Sequence, residues 1–360
     1  MARALYTAES GMAEARPKPS ITILYDADEE LVRDAALAKG EKFPTLVSYQ
    51  LETALTKRAY TVKRLAAEAK RIKKLVRTLE DDNSDLIFNV CESLGGAGDE
   101  ERRVASLLEL LDKRFTGNSS LALTLATDKS LAKKLFEFHG IKSPDFVIIA
   151  PGKVEGTTPS LKKFPLIVKP TATDASMGIN VKSVVRSVEE LMQRVFAIHE
   201  EFHTPALVEQ YIEGREIYVS LLGNPPTVLP PIEWDLSKLP PEMPRIAGTE
   251  AKWERDFKAA REFVPEDIVA NEALMKRIGD AAVGAWHALT VRDYARVDMR
   301  LTAEGTPFVL EVNPNPWLDS RAEFAMAARR ATPDLSHADL IERIVEIAMA
   351  RPMAGHPPFR

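Results

Sequence analysis

The residues best able to do chemistry sit in two short segments, Ala295-Arg296-Val297-Asp298-Met299-Arg300 and Phe308-Val309-Leu310-Glu311-Val312-Asn313-Pro314. Both are rich in β-branched and apolar residues, and Thr302 to Pro307 reads as a turn between them, which predicts a hairpin. Side chains two apart on a strand share a face, so Arg296 groups with Asp298 and Glu311 with Asn313. A turn centred on Glu304 and Gly305 sets Asp298 opposite Glu311 and Arg296 opposite Asn313. Val297, Met299, Leu310 and Val312 then fall on the other face. Two carboxylates and an amide oxygen converging on one face repel one another unless a cation joins them. A hard ion such as Mg²⁺ takes oxygen ligands and usually keeps phosphate and water in its shell. A hairpin with one solvated polar face has the same pattern, since antiparallel sheets commonly turn one side to water. The loop Asn313-Pro314-Asn315-Pro316 cannot continue a ladder, so the polar strand end opens into a rigid loop, as at a site.

The elements that must position this hairpin are legible as alternating strands and helices. Ile21 to Tyr25 reads as a first strand, Thr45 to Thr56 as a helix, Arg64 to Leu79 as a second helix and Leu86 to Val90 as a buried strand. A glycine-rich loop, Cys91 to Gly98, leads to a helix from about Asp99 to Leu111. This alternation predicts an open, mostly parallel sheet whose strand carboxyl ends form a ligand crevice. A second block begins with a helix capped by Thr127 or Asp128 and running to His139. It continues with an extended segment from Pro144 to Ile149, a polar linker from Gly152 to Lys163, and a strand from Leu166 to Pro170. A small-residue loop from Thr171 to Gly178, a helix from Val188 to His199 and a strand from Ala206 to Gln210 complete it. The third block holds further strands, the helix Glu272 to Thr290, the hairpin and two closing helices. Residues 1 to 20 read as a loose lead-in and 351 to 360 as a frayed tail. The fold class is α/β to α+β in three domains, at residues 1–122, 123–212 and 213–350.

Composition narrows the function. A chain of 360 residues with 45% hydrophobic content can build two or three real cores. The net charge of −5 and the lack of a basic tract beyond Lys70-Arg71-Ile72-Lys73-Lys74, which reads as one solvated helix face, argue against a nucleic-acid partner. The single cysteine, Cys91, excludes an internal disulfide and a cysteine-rich metal site. No apolar run approaches ~18 residues and the N-terminus lacks the pattern of a signal peptide, so a cytoplasmic protein with no membrane partner is expected.

Several ordered segments resemble the ATP-grasp enzymes, and most closely the D-alanine–D-alanine ligase family, over about residues 84 to 320. Phe115-Thr116-Gly117 is similar to the family's "YTG", and Thr127-Asp128-Lys129 to its "DK". Val168-Lys169-Pro170 with Ser176-Met177-Gly178 resembles its "VKP…SSVG" loop. Val208-Glu209-Gln210-Tyr211-Ile212-Glu213-Gly214-Arg215-Glu216 resembles its "E.(W/Y)(L/I).G.E", and Glu250-Ala251-Lys252-Trp253 its "EAKY". The hairpin matches its "RVD…EVN" pair.

The resemblance implies an ADP-forming carboxylate–amine ligase that clasps ATP between two α+β domains. Lys129, Lys169 and Lys252 are implied as point charges for the nucleotide phosphates, with the loop at Ser176 and Gly178 closing over them through backbone N–H groups. Glu209 and the backbone of Gln210, Tyr211 and Ile212 are implied at the adenine edge, and Glu216 at the ribose. Asp298, Glu311 and Asn313 become ligands of Mg²⁺ or Mn²⁺. Arg296 is implied opposite the oxyanion of a tetrahedral intermediate, with Lys252, Ser176 and Gly178 completing the reacting centre. The partners implied are amino-acid-like carboxylate and amine substrates, and a homodimer, as is frequent among related enzymes.

Departures from the pattern cluster on the substrate side. The family's "GG.S.E..VS" loop is replaced by Asp26-Ala27-Asp28-Glu29-Glu30-Leu31, its "HG" by Glu92-Ser93, and its "NTSPG" by Asn313-Pro314-Asn315-Pro316-Trp317. Glu92 could meet a substrate ammonium or cap nearby backbone. Asn315 and Trp317 border the second-substrate position, where Trp317 either reshapes the pocket or packs as an apolar plug under the loop. Ligation of amino acids other than D-alanine is therefore expected beside the plain family activity.

Overall fold

Strands and helices alternate through the first part of the chain. In the computed structural model the residues described are 17–39, 46–94, 101–151, 153–155, 163–171, 178–237, 239–240, 243–248 and 261–352. Strands β1 (Ser20–Asp26), β2 (Thr61–Ala67) and β3 (Leu86–Val90) form a parallel sheet in the order β2-β1-β3. Around it lie α1 (Asp28–Ala38), α2 (Val47–Lys57), α3 (Ile72–Glu80) and α4 (Glu101–Leu110). The expected helix over Arg64 to Leu79 is corrected at its start. Arg64–Ala67 belongs to β2, paired in register with Ile23–Asp26, and the α-helix begins only at Ile72. Parallel pairing with β1 overrides the helical spacing of Leu65 with Ile72, and the Arg64 guanidinium lies 3.4 Å from the Tyr49 ring centroid.

Helices α5 (Ser120–Thr127) and α6 (Lys129–Phe138) follow, and the Asp128 side chain caps α6 by accepting from Ser130 and Leu131 N–H. The second sheet is antiparallel, in the order β5-β4-β8-β6-β7. It comprises β4 (Phe146–Ala150), β5 (Lys153–Glu155), β6 (Leu166–Pro170), β7 (Val184–Val185) and β8 (Ala206–Gln210), with α7 (Val188–Phe202) packed on one face. The expected polar linker thus contains a short edge strand, β5, where the chain folds back on β4.

The third sheet has the order β12-β11-β9-β13-β14, with β10 beside β9. Its strands are β9 (Arg215–Leu222), β10 (Thr227–Val228), β11 (Ile232–Asp235), β12 (Arg261–Phe263), β13 (Tyr294–Leu301) and β14 (Pro307–Asn313). With it come α8 (Glu266–Val269), α9 (Glu272–Ala288), α10 (Glu323–Arg329) and α11 (His337–Ala350). Ile278, Ala282 and Trp286 of α9 pack with Phe136 of α6 on Ile217, Val219, Val297 and Met299. Leu340, Ile344 and Val345 of α11 return to the first sheet and share a core with Leu51, Leu55 and Phe88.

Of the expected tail only residues 351 and 352 are described, and 353–360 lie outside the described residues. Arg351 donates to Asp293 at 2.6 and 2.7 Å and to the Phe115 carbonyl at 2.8 Å, so it is fixed against the first domain. No helix of the described residues is long and apolar enough to cross a membrane.

Candidate active site

The hairpin register matches the expectation residue for residue at its polar end: Arg296 faces Asn313, Val297 faces Val312 and Asp298 faces Glu311. Beyond that point a β-bulge intervenes, and Met299 pairs with Val309. One extra residue in one strand changes which face the next side chain takes. Val309, not Leu310, therefore joins Val297, Met299 and Val312 in the core, whereas Leu310 lines the cleft beside Asp298 and Glu311.

That cleft lies between the second and third sheets. Lys169 of β6 and Glu209 and Gln210 of β8 form one wall, and Glu216, Tyr218, Asp298, Arg300 and Glu311 form the other, with Tyr211 and Ile212 at the hinge. Its carboxylates are matched to cations. Arg296 donates to both oxygens of Asp298, from Nε at 2.7 Å and Nη2 at 3.0 Å, with its guanidinium 4.4 Å from the Tyr218 ring centroid. Lys129 stands 3.3 Å from Glu311, and Arg300 3.3 Å from Glu216. Glu216 also accepts from the Tyr218 hydroxyl and from Ala247 N–H, both at 3.2 Å.

Glu209 is 1% exposed and lies between two ammonium groups, Lys133 at 2.5 Å and Lys169 at 2.8 Å. Burial alone would push its carboxyl up; the two lysines outweigh that and hold it below the usual carboxylate range. Lys133 and Arg300 escaped the sequence reading. The only sequence signal for Lys133 is its place one turn after Lys129, on a face shared with Ala132 and Phe136.

Several expected residues have other duties. Gln210 N–H donates to Asp145 O at 2.9 Å and Tyr211 N–H to Pro165 O at 3.3 Å, so those two donors already serve the fold. Gly178 adopts φ +74°, where a Cβ would come within 2.7 Å of Pro170, and its carbonyl accepts from Arg194. Asn315 accepts from Asn118 N–H at 3.0 Å and donates to Glu101 at 2.5 Å, tying the loop after β14 to the first domain. Trp317 is 49% exposed, which overturns the buried-plug reading. Glu92 is exposed, and its own N–H donates to Asp26 at 2.8 Å. Ser176 and Lys252 lie outside the described residues. Among the described residues no group of three His, Cys, Asp or Glu is arranged to hold a metal ion. The candidate ligand set here is mixed, two carboxylates and the amide of Asn313.

A family model described as D-ala D-ala ligase C-terminus matches residues 135–346. A D-alanine–D-alanine ligase of Pelotomaculum thermopropionicum is 31% identical over 291 residues, covering 76% of this chain and 83% of that protein. The chain belongs to the D-alanine–D-alanine ligase family. It is thereby an ATP-dependent ligase that forms a C–N bond. An uncharacterized protein of Sinorhizobium fredii is 36% identical to this ligase over 274 residues, 74% of this chain and 76% of its own length. Among solved structures, a Bacillus anthracis D-alanine–D-alanine ligase complexed with ATP superimposes with a TM-score of 0.68 at 22% identity, covering 92% of this chain and 98% of that one. The VanG D-Ala:D-Ser ligase of Enterococcus faecalis gives 0.64 at 19% identity, over 92% and 100%. At such identities these likenesses speak for the fold alone, the three-domain ATP-grasp architecture.

Proposed function

We propose that this ligase joins two amino-acid-like substrates through an acylphosphate, with ATP held in the cleft between the second and third sheets. The observation that carries the reading is the facing pair Asp298–Glu311 in the wall of a cleft that also holds Lys169, Glu209 and Glu216, with the facing pair Arg296–Asn313 two residues further along the hairpin. Domains at 1–122, 123–212 and 213–350 belong to the same proposal, the first presenting its strand ends to the substrates.

The donor set fits Mg²⁺ or Mn²⁺. Arg296 occupies one acceptor position on each Asp298 oxygen, and an ionised carboxylate has about four in all. Asp298 and Glu311 bring hard carboxylate oxygens, and the half-buried Asn313, whose Nδ2 has no hydrogen-bond partner, can turn its amide Oδ1 to the same ion. Such an ion, bound by Asp298, Glu311 and Asn313, would neutralise phosphate charge and orient the γ-phosphoryl group. Lys129 and Lys169 bring further positive charge to the phosphates, joined by Lys252. Glu209 and the segment to Ile212 meet the base, and Glu216 the ribose.

In the first step a substrate carboxylate oxygen attacks the γ-phosphorus and ADP leaves. In the second an amine attacks the acyl carbon, the carbonyl oxygen gains charge, and phosphate leaves as the amide forms. Arg296 would stabilise that oxyanion through N–H groups not used by Asp298, of which Nη1 also faces Glu323 at 3.6 Å. The loop through Ser176 and Gly178 would exclude the water that hydrolyses an acylphosphate.

The substrate pair deepens the proposal. Asn315 is committed to the first domain and Trp317 stands half-exposed where the family has a glycine, so the pocket for the second amino acid differs from the family's. Glu92, exposed at the crevice of the first sheet, is our candidate for a substrate ammonium. We expect D-alanine to be a poor substrate or one of several. The test is ATP-dependent phosphate release over a matrix of amino acids in both positions, followed by mass analysis of products. Fast turnover with D-alanine alone, giving only D-alanyl-D-alanine, refutes the altered pocket. Absence of ADP formation with every pair, despite ATP binding, refutes the ligase reading.

A further inference from the structure

Three charged side chains meet beneath the cleft in a way that the ligase reading does not use. Lys133 of α6 is 1% exposed, and its ammonium lies 2.5 Å from Glu209 Oε1. Lys169 of β6 lies 2.8 Å from Glu209 Oε2. Lys169 and Glu209 line the cleft, whereas Lys133 stands behind them. Two buried ammonium groups thus share one carboxylate, an excess of one positive charge. Stability does not call for this arrangement, because a buried ion pair can often be exchanged for apolar side chains of similar volume at little cost. A surplus lysine behind the wall needs another reason.

We propose that Lys133 is the standing counter-ion of Glu209, so that Lys169 can leave Glu209 for the phosphates of a bound nucleotide. The inference rests on the nucleotide-cleft reading above. Departure of Lys169 from a lone Glu209–Lys169 pair would strand a buried carboxylate, which burial makes strongly unfavourable. With the Lys133 ammonium remaining as an ion-pair neighbour of Oε1, the charge stays compensated. Oε2, vacated by Lys169, then becomes an acceptor for an amino group of the base. Capture of phosphate and recognition of the base are thereby coupled through one exchange of partners. Lys133 is a positioning residue in this scheme.

The test uses calorimetry on the full chain and compares adenosine with ADP, so that the gain in affinity due to phosphate is read directly. In Lys133→Met, Glu209 holds Lys169 captive, and the phosphate gain should fall at least about tenfold. In Lys133→Met/Glu209→Gln, Lys169 has no captor and the gain should return to within about twofold of the wild type. An unchanged gain in Lys133→Met, or no recovery in the double variant, overturns the proposal. Should Lys133→Met fail to fold, ¹⁵N spectra of the lysine ammonium groups in the wild type decide. ADP should move the Lys169 resonance and leave that of Lys133 in place, and two unmoved resonances overturn the scheme. If the wild type binds neither adenosine nor ADP, the cleft reading itself fails instead.

Discussion

Replacing Glu311 with Gln tests the metal assignment at almost constant volume. The side chain is 29% exposed and 3.3 Å from the ammonium of Lys129, itself 10% exposed. A partly solvated pair of this kind contributes at most about 1 kcal/mol, which for a chain of this size lowers the melting temperature by no more than about 2–4 °C. The variant should therefore fold. Function should suffer far more, because an amide oxygen lacks the charge that binds a divalent ion. Loss of groups that merely support metal ligands costs about 10–100-fold, so loss of a ligand should reach about 100-fold, or about 2.7 kcal/mol of transition-state stabilisation. The assay is ADP release across a Mg²⁺ titration, in which Glu311→Gln should need more metal for half-saturation as well as turning over more slowly. If Glu311 serves only to hold Lys129, activity can fall while the metal dependence stays as in wild type. An unchanged half-saturation for Mg²⁺ would refute the ligand role.

Arg296→Lys should lower amide formation while positional isotope exchange in ATP, which reports reversible phosphoryl transfer, persists; equal loss of both would assign Arg296 to the first step. Lysine is the better probe than alanine here, because alanine would strip Asp298, 4% exposed, of its two-pronged Arg296 ion pair, a loss that costs about 3–5 kcal/mol for a buried pair. Lys169→Ala should keep its fold, since Lys133 still pairs Glu209, and should weaken ATP binding about tenfold or more; the exposed Lys182→Ala should leave it unchanged, and equal affinities by calorimetry in all three proteins would exclude a phosphate contact. Asp82 supplies a pH prediction: burial pushes its carboxyl up, but Ser84 N–H, the Thr22 hydroxyl and Lys63 outweigh it and leave it below its usual value. The stability this adds is present above about pH 4, where the unfolded carboxyl is ionised, and is lost as the pH falls through the lower folded value. Urea unfolding of wild type and Asp82→Asn should therefore show a gap at pH 7 that closes in acid, and a gap constant with pH would contradict the assignment.

The sequence was most legible where one local rule decided the outcome. Two-residue alternation grouped Arg296 with Asp298 and Glu311 with Asn313 on one face, and β3, β6 and β8 appear over the residues expected; the expected pairing of Asp298 with Glu311 is reached through the bulge, since beside the turn the register is Leu301 with Pro307. It was least legible where a distant partner decided. Arg64 looked helical because its strand partner, β1, lies about forty residues back in the chain, a contact that no local window contains. The bulge after Asp298 is likewise invisible in a pattern of alternating residues, and it is what turned Leu310 to the cleft and Val309 to the core. Arg351 read as tail because nothing near it in sequence hints at Asp293, its partner across the fold. Lys133 was passed over for a similar reason: a lysine on a helix is ordinarily solvated, and only the folded chain brings Glu209 to it.

The missed residues share a logic that bears on how the cleft works. Lys133, Arg300 and Tyr218 each hold a carboxylate proposed to meet the nucleotide, Glu209 by Lys133 and Glu216 by Arg300 and Tyr218. Each acidic group proposed to touch the nucleotide or its metal already has a cation on it: Glu209, Glu216, Glu311 and Asp298 are paired with Lys133 and Lys169, Arg300, Lys129 and Arg296 respectively. Such a cleft meets two demands at once. Before binding, each of its carboxylates has a neighbouring cation to offset the cost of taking its charge out of water. Under the proposed function, a metal–nucleotide complex would bring both signs of charge, so that Lys129 could take phosphate in place of Glu311 and Glu311 the metal in place of Lys129. The cost of separating each resident pair is then offset within the same site. A free divalent ion or a metal-free nucleotide satisfies only half of each exchange. The pairing therefore argues for cooperative binding of the two, with each raising the affinity for the other by the same factor.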